Sequence, residues 1–139
     1  MPTGTSPGTT SAPRSAPSVK ERFSWALGKR TAKLQEVHDA VGREYDPEQF
    51  EQLEFLLYNI GSWFNHALRD EGWPYWHWVN RSEECQKRMK NIVEQFNEAS
   101  YCFQHADAQQ FSRAKCRRAL QNLIISINNL RRYNDGRSE

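Results

Sequence analysis

Apolar residues recur at steps of three and four through most of this chain, and they fall into four separate stripes. Phe50, Leu53, Leu57, Ile60, Phe64 and Leu68 make the clearest one. That spacing brings every member to one face of an α-helix and does not match the two-residue period of a strand. Phe23, Leu27, Leu34, Val37 and Val41 precede it, and Cys85, Met89, Ile92, Phe96, Ala99 and Phe103 follow it. The last stripe runs through Phe111, Cys116, Leu120, Leu123, Ile127 and Leu130. Helices with one apolar face bury it against one another, so the pattern predicts an all-α fold.

Capping and breaking residues between the stripes set the boundaries. Ser18 with Glu21 makes a capping box and Gly42 a stop, which predicts a helix over 18–42. Asp46 as cap, Pro47 in the first turn and Gln49 reaching back open a second helix over 46–70, ahead of Gly72. Asn80 or Ser82 opens a third over 81–104, supported by Glu83 to Lys87 and Glu84 to Arg88 at i,i+4. Asp107 with Gln110 repeats the capping box for a fourth over 107–133, and Gly136 lies beyond it. Links of about four residues join first to second and third to fourth, which makes each pair an antiparallel hairpin. The expected architecture is one antiparallel up-down-up-down four-helix bundle over 18–135. Residues 1–17 hold only Ser, Thr, Gly, Pro and Ala apart from Met1 and Arg14, a composition too poor in apolar surface to order, so they read as a disordered arm. A short polar tail, 136–139, closes the chain.

The longer link between the hairpins, residues 72–79, reads GWPYWHWV. Pro74 interrupts helical structure there, and Trp73, Tyr75, Trp76 and Trp78 crowd together. Two roles are open to these rings. They can close the end of the bundle with their indole N–H groups satisfied internally, or they can anchor a partner at an interface.

Charge changes the picture because it is uneven, although the net is only +2. The stretch 43–72 carries two basic and seven acidic residues, whereas 107–139 carries seven basic and three acidic. Arginine outnumbers lysine thirteen to six, and its planar fork suits phosphate and carboxylate equally. Arg113, Lys115, Arg117, Arg118, Arg131 and Arg132 are the candidate nucleic-acid-binding residues, with Arg113, Arg117 and Arg131 close together on the helical wheel. The competing reading is a solvated face of internal salt bridges. A third possibility is that acidic and basic regions complement each other between subunits of a homo-oligomer.

Catalytic patterns do not emerge. His38, His66, His77 and His105 are scattered without metal-ligand spacing, and Cys85, Cys102 and Cys116 are an odd number with no C-x-x-C pair. There is no phosphate-cradling glycine loop, no nucleophile elbow and no ribonuclease-like Arg-then-His pattern. No cofactor, metal, catalytic residue or small-molecule substrate is expected. The N-terminus lacks an apolar signal core, and no stretch approaches the roughly eighteen apolar residues of a membrane span, so an intracellular, cytoplasmic protein is expected.

Three segments resemble the coat proteins of rod-shaped plant RNA viruses of the tobamovirus type. Asp39-Ala40-Val41-Gly42-Arg43-Glu44-Tyr45, with Glu48-Gln49 after it, is similar to the family's turn between its first two helices. Trp76-His77-Trp78-Val79-Asn80, followed by Phe96, is similar to its aromatic-x-aromatic-Asn run. Arg117-Arg118-Ala119-Leu120-Gln121-Asn122-Leu123-Ile124-Ile125, with Tyr133-Asn134 beyond, is similar to its last long helix. Asp107-Ala108 departs from the pattern, standing where the family has paired arginines. The resemblance implies a capsid subunit that stacks around single-stranded RNA in a virion. The expectation is a non-enzymatic, self-assembling, nucleic-acid-binding protein; the alternative is a protein-interaction module that uses the aromatic link 73–79.

Overall fold

The computed structural model of this chain describes residues 16–41, 46–104 and 113–139. Most of the N-terminal arm, the Gly42 stop, Phe111 and the capping box at Asp107 lie outside the described residues. Five helices are present: α1 (Val19–Val41), α2 (Pro47–Arg69), α3 (Trp76–Asn80), α4 (Glu83–Gln104) and α5 (Arg113–Asp135). Among the described residues there is no strand. The fold is all-α, as expected, but α3 lies inside the segment read as a plain link.

Local chemistry explains the helix starts. The Ser18 hydroxyl accepts from the Glu21 N–H at 3.1 Å while the Glu21 carboxylate accepts from the Ser18 N–H at 3.2 Å, a complete capping box. Asp46 caps α2 by accepting from the Glu48 N–H at 3.1 Å, with Pro47 in the first turn. Of the two candidate openers for α4, Ser82 does the work, accepting from the Cys85 N–H at 3.1 Å. Asn80 serves the ends of other helices instead. Its amide donates to Trp76 O at 2.9 Å and to Leu68 O at 3.3 Å, so it satisfies carbonyls that the last turn of α2 leaves without partners. This explains the error at the link: Pro74 does end regular structure, but Trp76 to Asn80 then rewinds for just over one turn and plugs the end of α2.

The four stripes meet in one core. Phe23, Leu27, Leu34, Leu57, Phe64, Met89, Ile92, Leu120, Leu123, Ile127 and Leu130 are fully buried, each worth about 1.5–3 kcal/mol of apolar transfer before entropy is counted. Leu53 is the one stripe member of α2 left half-buried. α1 packs chiefly on α5, α5 also on α4, and α4 on α2, while α1 and α2 touch far less than these pairs do. The pairs run antiparallel. Phe50 at the start of α2 meets Phe103 at the end of α4 with ring centroids 5.5 Å apart, and Ser82 ahead of α4 meets Tyr133 near the end of α5 at 2.7 Å.

Two glycines mark close approaches. A Cβ on Gly61 would lie 3.1 Å from the ring of Phe96, so α2 and α4 come together where no side chain intervenes. A Cβ on Gly28 would lie 2.8 Å from the Arg131 guanidinium, which occupies that gap on α1. Among the described residues, no helix is long and apolar enough to cross a membrane.

Candidate nucleic-acid interface

The first two turns of α5 carry Arg113, Lys115, Arg117 and Arg118, and all four are exposed. No acidic residue lies between Arg113 and Arg118. Arg117 bears weakly on Asp39 near the end of α1. Asp39 is held below the usual carboxylate range first by its hydrogen bond from His38, at 3.1 Å, then by one from Gln35, at 3.0 Å, with a smaller share from Arg117.

The remaining two candidates lie elsewhere. Arg131 is half-buried, its Nε donating to the buried Ser24 hydroxyl at 3.0 Å, and its guanidinium packs over Gly28. It holds α5 to α1. Arg132 is exposed but donates to the Asn129 side chain. Thirteen residues separate Arg118 from Arg131, about 20 Å along the helix axis. The six arginines and lysines read as one set are therefore a cluster of four at one end of α5 and two separate residues at the other. The helical wheel put Arg131 beside Arg113 and Arg117 correctly in angle, and angle alone does not show that this side of the helix lies against α1 at one end.

The aromatic segment is mostly built into the fold. Trp78 is 3% exposed, and its indole N–H donates to Asn134 Oδ1 at 2.7 Å, while the Asn134 amide donates to Lys20 O at 3.0 Å. Arg137 lies 3.8 Å above the Trp78 ring and donates to the Trp78 carbonyl at 2.7 Å; Arg81 approaches the same ring at 4.7 Å. Burial draws the Arg137 pKa below the ordinary arginine value. Tyr75 packs against Phe23 and Trp63 at centroid distances of 5.4 and 5.7 Å. Trp73 stacks on His66 at 5.0 Å and Trp76 meets His77 edge-on at 4.9 Å, both half-buried. Of the four rings named as a partner interface, Trp78 is enclosed, and the other three retain some accessible surface.

Asn134 and Arg137 escaped the sequence reading. Asn134 falls four residues after Leu130, on the apolar stripe, and a polar amide at a core position is a sign of a buried hydrogen-bond network. Arg137 gave no such sign, because it stands beyond the helix in what looked like a polar tail.

A second exposed feature lies on α2. Phe55 is 67% and Tyr58 68% exposed, and with Glu48, Glu51 and Glu54 they line a shallow hollow of about 670 Å³. The three cysteines are free thiols. Burial pushes Cys85 up to about 11, and burial together with neighbouring Cys102 pushes Cys116 up to about 12, which leaves both protonated and poorly nucleophilic at neutral pH. Among the described residues no group of His, Cys, Asp and Glu could hold a metal ion. No family model, no curated protein and no solved structure matches this chain.

Proposed function

We propose that this chain is a non-enzymatic, self-assembling up-down-up-down four-helix bundle that binds nucleic-acid backbone, in the manner of a coat protein or nucleoprotein, the ligand being single-stranded RNA or another nucleic acid. The observation that carries the reading is the exposed cluster Arg113, Lys115, Arg117 and Arg118 on α5. Four cations within six consecutive residues of an exposed helical segment give a charge density suited to phosphate. Arg131 leaves the binding set because it joins α5 to α1, and Arg132 is too distant to act with the cluster.

Mechanistically the cluster would neutralise phosphates and release condensed counterions, with little reading of base edges. Affinity then falls steeply as salt rises. The test is fluorescence anisotropy with a labelled single-stranded RNA oligonucleotide at low and raised salt, using the wild-type chain and the triple variant Arg113→Ala, Arg117→Ala, Arg118→Ala. The reading expects the triple variant, folded by circular dichroism, to lose most of its low-salt affinity. Equal binding by both proteins would contradict it.

A further inference from the structure

The exposed aromatic pair on α2 has no role in the bundle. Phe55 and Tyr58 are separated by three residues on the solvent face of that helix, each about two-thirds exposed, and such rings are enriched where proteins dock. Glu48, Glu51 and Glu54 surround them. The outward face of α5 is its complement. Arg118, Ile125 and Arg132 succeed one another at seven-residue steps, all three exposed, with Ile125 48% so. On α2, Glu48, Phe55 and Ser62 follow the same step.

Seven residues of helix advance about 10.5 Å, so the two rows share a repeat. Seating Phe55 on Ile125 sets Glu48 opposite an arginine whichever way the helices run: Arg118 if parallel, Arg132 if antiparallel. Tyr58 and Glu51 then flank the contact, where an arginine can lie over the phenol ring or fork onto the carboxylate.

The two faces cannot meet within one molecule. α2 and α5 each pack chiefly on other helices, α2 on α4 and α5 on α1 and α4, so their solvent faces point away from each other. We infer that the acidic aromatic face of α2 in one copy docks onto the Arg118, Ile125, Arg132 face of α5 in a second copy. The contact is heterologous, since different surfaces meet, and each added copy presents a fresh α2 face and a fresh α5 face. Such contacts grow into rings or open filaments rather than stopping at a two-fold dimer. This identifies the contact behind the self-assembly proposed above and rests on that part of the reading; Arg118 is shared by the two surfaces, whereas Arg113, Lys115 and Arg117 on neighbouring flanks of the helix serve nucleic acid alone.

The test uses nuclease-treated full-length protein in sedimentation velocity over a concentration series at low salt, so that no nucleic acid contributes to assembly. Wild type should form species larger than a dimer. The double variant Glu48→Arg, Glu51→Arg and the double variant Arg118→Glu, Arg132→Glu should each associate at least tenfold more weakly. Mixed in equal amounts they should associate again, because each retains the face that the other has lost. Phe55→Ala, at an exposed position that the fold does not need, should weaken wild-type association by a similar factor. A wild-type chain that stays monomeric throughout would overturn the inference, as would a mixture no more associated than its components. Self-association retained by the Arg118→Glu, Arg132→Glu variant would overturn it too, by showing that α2 pairs with itself. RNA anisotropy on the Phe55→Ala variant, which changes no charge, reads nucleic-acid binding separately, so failure of one proposal leaves the other readable.

Discussion

Arginines and aromatic rings occur at both the α3 end of the bundle and on the outward faces of α2 and α5, and the two regions use them in opposite ways. Around Trp78, two guanidiniums lie over the ring, its indole N–H donates to buried Asn134, and Asn134 in turn donates to the carbonyl of Lys20, so these groups are used inside the chain. On α2 and the start of α5, the rings of Phe55 and Tyr58 and the cations from Arg113 to Arg118 face solvent. Residue type does not separate the two regions. What separates them is position relative to the core, because a ring on the apolar side of a helix is enclosed and one on the opposite side is left exposed.

The largest expected effect falls on the enclosed side. Trp78→Ala should destabilise the fold by about 3–5 kcal/mol, as expected for truncating a buried aromatic, and denaturant unfolding will measure it. Asn134→Ala should cost about 1–3 kcal/mol, since it leaves the Trp78 indole N–H buried without an acceptor. A loss under about 0.5 kcal/mol for either would break the comparison by showing that this end is only loosely formed. On the exposed side, Arg117→Ala and Phe55→Ala should change stability by no more than about 0.5 kcal/mol in the same assay. A larger loss would mean that these residues are scaffold as well.

The smallest effect concerns pH. Cys85 and Cys116 have folded pKa values raised to about 11 and about 12, above the ordinary value of 9.0, because burial disfavours the thiolate. The folded chain therefore holds these protons more tightly than the unfolded chain. Their contribution is fully present below about pH 9 and is lost as pH climbs through the folded values. Stability should decline from about pH 9 upward, and Cys85→Ala should flatten that decline.

Much of the scaffold was legible from spacing alone. Every described member of the first, third and fourth stripes is buried, and the capping box at Ser18 and the Asp46 cap form where the residue types call for them. These features are local, set by contacts within one turn or by a helical period. The short α3 was missed because Pro74 and Gly72 give a strong break signal, whereas the restart depends on Asn80 bonding to carbonyls of α2 twelve and thirteen residues earlier. The candidate site was legible in residue type and only half legible in grouping. Arg131 shares its wheel angle with Arg113, but its use depends on Ser24 and Gly28, more than a hundred residues away in sequence. Pairings of that range leave no periodic trace.

One pair of variants tests the sorting of arginines most directly. The measurement is the slope of log affinity for single-stranded RNA against log salt concentration, for wild type, Arg117→Ala and Arg131→Ala. If the exposed end of α5 meets phosphate and Arg131 does not, Arg117→Ala should make the slope shallower by about 0.7 and Arg131→Ala should leave it unchanged. Equal changes in both variants, or a wild-type affinity that does not depend on salt, would contradict the account.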